Sequence, residues 1–217
     1  MALGFDELAE KTKTMFTVNH LAVNGFAPVD KILEYDTITI PTTPGIVWLD
    51  RNLGAERRPL SLTDVSDQSR GWFWQFNRKQ GYEFKAGVRT PATAPDKLII
   101  EDYDWLPEND PCQELGEGWR LPTKQEWDAY KQSIPTGRSQ STYHWKYGLL
   151  KLHQPGWFYT SYNKLYGQGN IGKFWTSQRG GASVEEYAYY LQFTSGNVAT
   201  SWMSKTYGAS IRAVKDI

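Results

Sequence analysis

The stretch Leu115-Gly-Glu-Gly-Trp-Arg-Leu-Pro-Thr-Lys-Gln-Glu-Trp127 constrains the fold more than any other part of the chain. Two glycines flank Glu117, which suits a tight turn because glycine accepts positive φ without steric cost. Trp119 and Leu121 alternate with Arg120, as a short half-buried strand does. Pro122 has no amide hydrogen to give a ladder, so the strand is expected to stop there. Thr123 and Glu126 have the spacing of a capping box, in which each side chain satisfies an orphan amide at a helix start. Trp127, Tyr130 and Ile134 follow at i, i+3 and i+7, giving that helix one apolar face. None of these residues is an acid, base or nucleophile placed for chemistry. The best-specified part of the chain reads as scaffold.

With 217 residues, the chain suits one large domain, or one domain with an N-terminal appendage. Tryptophan (10), tyrosine (13) and phenylalanine (9) make it 15% aromatic, and Tyr and Trp serve both cores and recognition surfaces. Lys+Arg and Asp+Glu are both 24, so there is no basic excess to hold a phosphate backbone, and nucleic acid is not expected as a partner. Cys112 is the single cysteine, which excludes an internal disulfide and a cysteine-based zinc site. His20, His144 and His153 lack the i, i+4 spacing of a helical metal site, and no metal or other cofactor is expected. The N-terminus lacks the basic-then-apolar pattern of a signal peptide, and no stretch approaches the ~18 apolar residues of a membrane span. The expectation is a protein made in the cytoplasm without a signal peptide and not inserted into a membrane.

Phe5, Leu8, Ala9 and Phe16 lie near one face of a possible helix from Asp6 to Phe16. It serves either to dock on its own domain or to contact a subunit or particle. Residues 17–45 read as extended: Thr17-Val18, Ile32-Leu33 and the alternating Asp36–Ile40. The breaker cluster Pro41-Thr-Thr-Pro-Gly45 is a plausible boundary, dividing an appendage (1–45) from a main domain (46–217). The main domain opens on a strand from Ile46, followed by a short helical stretch around Thr63–Gln68 and the aromatic run Gly71–Phe76. Residues 81–114 read as irregular, 135–141 as a polar loop, Gly148–Leu152 as a strand, and 156–172 as a Tyr- and Gly-rich segment. Lys173–Ser177, Tyr187–Phe193 and Ser210–Lys215 read as three strands, with turns at Gly180-Gly181 and Gly196-Asn197. The pattern predicts an α+β fold: a mixed, mostly antiparallel sheet with a few short helices and long irregular loops.

Six segments in order carry a family resemblance: Val47–Ala55, Gly116–Thr123, Gly148–Leu152, Phe174–Ser177, Ala188–Phe193 and Tyr207–Lys215. Together they resemble the C-type lectin-like domains of the Fibrobacter succinogenes major paralogous type, found in Bacteroidetes and their phages. They also resemble the variable proteins diversified by retroelements, and both are fold relatives of formylglycine-generating enzymes. The resemblance covers roughly residues 46–217 and implies a C-type lectin-like fold, which by itself leaves the ligand open. The chain departs from the family in three places. Ala213 stands where a second cysteine is common, Trp74-Gln-Phe-Asn-Arg78 replaces a glycine-bearing aromatic segment, and the calcium-dependent sugar motifs of animal lectins are absent. Pro107-Glu-Asn-Asp-Pro111 has no EF-hand spacing and reads as a solvated acidic loop.

No catalytic residues are expected. A formylglycine-generating enzyme needs a thiol site that a lone cysteine does not supply, no histidine stands in triad order, and Gly167-Gln-Gly-Asn-Ile-Gly172 lacks the strand-and-helix context of a phosphate loop. The resemblance places ligand recognition on the last strands and their loops. The candidates there are Gln178, Arg179, Tyr187, Tyr189, Gln192, Thr194, Asn197, Thr200, Ser201, Trp202, Ser204 and Tyr207, a Tyr/Ser/Asn/Thr surface with Trp and Arg anchors, physically like a paratope. Trp202, in an otherwise polar loop-like segment, is either a loop anchor tucked into the core or an exposed recognition aromatic. Trp119, Trp127, Trp175, Leu191, Phe193 and Ile211 are expected in the core.

The function this implies is non-catalytic ligand or receptor binding, as at a phage or prophage tail-fibre tip or in a retroelement-diversified variable protein. The expected partner is a bacterial surface protein or glycan, the setting a virion, and the assembly expected by family analogy a homotrimer. The alternatives are a Bacteroidetes cell-surface or fimbria-associated adhesin module and, from another class, an enzyme of formylglycine-generating type.

Overall fold

The computed structural model describes residues 14–18, 31–133, 140–181 and 183–217. In chain order the strands and helices are β1 (Thr14–Val18), β2 (Lys31–Tyr35), β3 (Thr37–Thr39), β4 (Ile46–Leu49), α1 (Asp67–Arg70), β5 (Phe73–Gln75), β6 (Gly81–Lys85) and β7 (Val88–Thr90). Then come β8 (Trp119–Arg120), α2 (Lys124–Gln132), α3 (Gln140–Tyr147), β9 (Trp157–Tyr159), β10 (Lys164–Tyr166), β11 (Ile171–Arg179), β12 (Tyr187–Thr194), β13 (Val198–Ser204), β14 (Gly208–Ala209) and β15 (Val214–Asp216). The strands form four sheets, ordered β1-β2, β10-β9-β14-β5-β6-β7, β11-β12-β13 and β3-β4-β15-β8. Among the described residues every strand pair is antiparallel, and only the isolated bridges Gly156–Gly172 and Phe174–Ser210 are parallel. The described chain is thus mostly β, with antiparallel sheets and a few short helices.

The central stretch folds as its residues dictate. Gly116 and Gly118 take φ of +113° and +82°, where a side chain would be strained. Strand β8 ends before Pro122, and the capping box closes α2: Glu126 N–H donates to Thr123 Oγ1 at 3.2 Å, and Thr123 N–H donates to Glu126 Oε2 at 2.7 Å. Arg120 ties three elements together, donating to Glu126 Oε1 and Asp216 Oδ1, each at 2.7 Å. Trp127 and Tyr130 are buried on the inner face of α2, and Trp127 donates its indole hydrogen to the Trp175 carbonyl at 3.2 Å. Ile134, the third residue of the expected stripe, lies outside the described residues.

Two packed clusters make up most of the core. The first holds Trp72, Trp74, Trp119 and Trp175 with Ala188 and Tyr190. The second holds Trp48, Trp127 and Tyr130 with Leu191 and Phe193. All six residues expected in the core are buried: Trp119, Trp127, Trp175, Leu191, Phe193 and Ile211.

Several local expectations are corrected. Residues 14–16, the end of the expected Asp6–Phe16 helix, are strand in β1; the remainder of that helix lies outside the described residues. Thr, Phe and Val favour a pleated surface, and β2 supplies the ladder that a short helix would lack. The breaker cluster 41–45 is a hairpin turn between β3 and β4. Leu33 and Tyr35 are buried in the first cluster, and the Tyr35 hydroxyl accepts from Gly54 N–H at 2.7 Å. Leu33 and Tyr35 therefore pack with residues beyond residue 46. The helix expected at Thr63–Gln68 forms instead at Asp67–Arg70, because Asp64 draws the chain before it into a turn, accepting from the Leu60 and Ser66 amides at 2.9 and 3.0 Å.

Residues 81–114 are not wholly irregular, since β6 and β7 form a hairpin turning at Ala86-Gly87. Gly148–Leu152 is not a strand. Its Leu150 carbonyl accepts from the buried Arg212 guanidinium at 2.8 Å, and Lys151 takes φ of +47°, which breaks the extended run. Gln140 and Ser141, expected in a loop, begin α3. In place of one strand over Ser210–Lys215 the chain forms β14 and β15, while Val198–Ser204, expected to be loop-like, is strand β13. Asp110 is not solvated: it is 6% exposed, and its carboxylate accepts from the Cys112 and Leu121 amides, each at 2.8 Å.

Candidate functional site

The register of the three-stranded sheet decides where the candidate residues go. Tyr189 pairs with Trp202, Tyr187 with Ser204, and Leu191 with Thr200. Cross-strand partners share a face, so Tyr187, Tyr189, Thr200, Trp202 and Ser204 lie on one side, the side on which α2 packs. Gln192 pairs with Lys173, and Tyr190 with Ser201. Gln192, Ser201 and Thr194 therefore lie on the opposite side, with Tyr190 and Lys173. The expected single face is two half-faces.

On the α2 side the rings of Tyr187 and Trp202 meet edge to face, 4.9 Å apart. Trp202 is 44% exposed, so it is not tucked into the core. Gly180 and Gly181 lie flat against this group: a Cβ at Gly180 would fall 2.0 Å from the Tyr189 ring, and one at Gly181 2.7 Å from the Trp202 ring. The Lys124 ammonium sits 5.7 Å from the centre of the Tyr189 ring. Thr200 belongs to a polar lattice with α2, donating to Asp128 Oδ1 at 2.7 Å and accepting from Lys131 at 2.9 Å. Burial alone would raise the Asp128 pKa, but hydrogen bonds from Lys124, Lys131 and Thr200 outweigh it and hold it at about 2.

Four candidates have structural duties. Gln178 Oε1 accepts from the Lys124 amide at 2.8 Å, satisfying one of the open donors at the start of α2. The Arg179 amide donates to Asp104 Oδ1 at 3.0 Å, and its guanidinium donates to the Asp102 carbonyl and carboxylate, fastening β11 to the acidic segment. Thr194 and Asn197 close the β12–β13 turn, where Thr194 Oγ1 accepts from Asn197 N–H at 3.1 Å.

Tyr207 belongs to a second aromatic group that sequence reasoning missed. Its ring lies 4.9 Å from Trp157 and 5.0 Å from Tyr159, and Tyr159 in turn meets Tyr162 at 5.1 Å and Tyr166 at 5.4 Å. Tyr162 is 62% and Tyr166 40% exposed. Burial raises the Tyr207 pKa, and the neighbouring Tyr159 and Tyr187 hydroxyls raise it further. The signal was present in Trp157-Phe-Tyr159: the outer two residues face out and Phe158 faces in, packing with Phe73, Tyr82 and Phe84.

The titratable groups expected to be inert are sealed. Cys112 is buried and burial pushes its thiol well up, the opposite of an activated nucleophile. Burial lowers His144 to about 4 and His153 to about 3, so both are neutral near pH 7. His20 lies outside the described residues. Among the described residues no group of three His, Cys, Asp or Glu is placed to hold a metal ion, and no helix is long and apolar enough to cross a membrane.

Comparison of the chain with protein-family models, curated proteins and solved structures gives no match.

Proposed function

We propose that this chain is a non-catalytic receptor-binding protein of C-type lectin-like architecture. It acts as a phage or prophage tail-fibre tip or a retroelement-diversified variable protein, and attaches to a protein or glycan on a bacterial surface. The observation that carries this reading is the pair of aromatic groups at the surface, Trp202 with Tyr187 and Tyr207 with Tyr159, Tyr162 and Tyr166, of which Trp202, Tyr162 and Tyr166 are exposed. Rigid amphipathic rings give large contact area at small entropy cost, which is what a recognition face requires. The architecture is supported by the meeting of three resembling segments: Val47–Ala55, Gly116–Thr123 and Tyr207–Lys215 are hydrogen-bonded in one sheet through residues 47–48, 119–120 and 214–215.

The test is binding of purified protein to a panel of intact gut-type bacteria, wild type against the Tyr189→Ala/Trp202→Ala variant. Truncating a central aromatic anchor costs ~2 kcal/mol or more, about thirtyfold in affinity. The double variant is expected to lose at least that much while remaining folded at the assay temperature. A folded double variant that binds cells as wild type does would refute this site. The fibre-tip setting further expects a homotrimer by light scattering, and a strict monomer counts against it.

A further inference from the structure

Lys173 lies in β11 on the side of the sheet that faces the β9–β10 hairpin. Only 9% of the residue is exposed. Its ammonium stands 4.1 Å from the centre of the Trp157 ring and 4.9 Å from that of Tyr190. Burying an ammonium costs several kcal/mol unless an anion pairs with it, and ring faces return only ~0.5–2 kcal/mol of that. Burial lowers the Lys173 pKa to about 8, and no neighbouring carboxylate raises it. Nor is the ammonium sealed from solvent without a partner, as the imidazole of His153 and the amide of Gln154 are. The fold therefore keeps a cation, charged at neutral pH, in a nearly closed position with no described acid beside it.

Polar side chains that can donate share its side of the sheet. Gln192 is the cross-strand partner of Lys173, and its Oε1 is occupied by the Tyr190 hydroxyl at 3.0 Å, which leaves the amide hydrogens to donate. Ser201 stands opposite Tyr190. Next to this donor group is the ring ledge of Trp157, Tyr159, Tyr166 and Tyr207. The negative faces of such rings suit the positive C–H face of a pyranose. An extended peptide is less well served, because β9 is paired on both edges, by β10 and β14, and offers no free ladder for strand addition.

We propose that Lys173 and Gln192 form the carboxylate subsite for an acidic sugar of the hexuronate type, whose ring lies on the Trp157–Tyr159–Tyr207 ledge. The inference rests on the receptor-binding reading and names the ligand class of its second half-face.

Calorimetric titration with oligogalacturonate and with its methyl ester tests it, using wild type and Lys173→Met. Methionine fills the same space without a buried charge, so this variant is expected to fold at least as well as wild type. Wild type is expected to bind the acid at least tenfold more tightly than the ester, and Lys173→Met to lose at least tenfold for the acid. Binding of the acid also weakens between pH 7 and 9, as the ammonium is lost. The titratable groups facing it, Tyr190 from β12 and Tyr207 beyond Trp157, have raised pKa values and stay neutral over that range. Equal binding of acid and ester, an unaffected Lys173→Met, binding of neither sugar, or equally tight binding of polyglutamate would each overturn the proposal. If the sugars fail while wild type still binds cells and Tyr189→Ala/Trp202→Ala does not, only the subsite falls. If cell binding is also indifferent to that double variant, the receptor reading falls with it.

Discussion

Asp110 makes the organisation of the central stretch measurable. It is 6% exposed, and its two oxygens each take a backbone amide at 2.8 Å, Cys112 N–H on one side and Leu121 N–H on the other. The carboxylate thus pins the end of β8 to the start of the short 3-10 helix at Pro111–Leu115. Asp110→Ala leaves two buried amides without an acceptor, at about 1–3 kcal/mol each. Against this, burial raises the Asp110 pKa even though the two amides pull it down, so removing the charge returns part of a desolvation cost. The net expectation is a loss of ~2–4 kcal/mol. At roughly 2–4 °C per kcal/mol for a domain of this size, melting falls by about 5–15 °C. Asp110→Asn keeps one acceptor and falls between the two. Glu108→Ala, an exposed acid in the same segment, is the control and stays within ~0.5 kcal/mol of wild type. Thermal unfolding followed by circular dichroism or calorimetry reads all three. If Asp110→Ala melts with the Glu108→Ala control, the carboxylate is solvated after all and the reasoning fails.

The stability of the protein should fall in mild acid through its buried histidines. His144 and His153 are depressed to about 4 and about 3 by burial, so the unfolded chain takes up their protons first. Stability is fully present above the unfolded histidine pKa of ~6.5 and is lost as pH falls towards 4 and then 3. The denaturant midpoint at pH 5 should lie below that at pH 7.5, and His153→Gln should flatten the difference; an identical slope in that variant would contradict the burial argument. At the start of α2, Thr123→Ala removes the acceptor of the Glu126 amide and should cost ~0.5–2 kcal/mol, measured by denaturant unfolding, with Thr123→Ser close to wild type. No loss in the alanine variant would mean the cap is not holding the helix.

The scaffold was legible because its signals are local. A glycine turn, a proline stop and a capping box each act within about four residues, and the sequence carries them next to one another at 116–127. The same holds for the buried tryptophans on β8, α2 and β11. What was not legible depends on distant partners. Gly148–Leu152 looks like a strand until Arg212 takes its carbonyl, and the breaker cluster 41–45 looks like a boundary until β4 pairs with β3 across it. Thr14–Phe16 passes for the end of an amphipathic helix because the ladder that makes it a strand comes from β2, beyond residue 30.

The binding face failed to be one face for a reason that is visible in the sequence only once the two cores are known. Along β12, Ala188 and Tyr190 pack into the first cluster, whereas Leu191 and Phe193 pack into the second. Burial therefore changes phase between Tyr190 and Leu191. A bulge would do the same, but β12 and β13 pair without a break, from Tyr187↔Ser204 to Phe193↔Val198. The sheet itself passes between two cores and presents opposite sides to solvent at its two ends. β11 also runs between the cores, with Phe174 in the second cluster and Trp175 in the first, and it is buried on both faces from Gly172 to Thr176. Any ligand that used all twelve expected residues would have to reach both sides of one sheet. The proposed recognition divides accordingly, with Tyr187, Tyr189 and Trp202 assigned to one surface and Lys173, Gln192 and the β9–β10 ledge to the other. The two can be disabled separately by substitution.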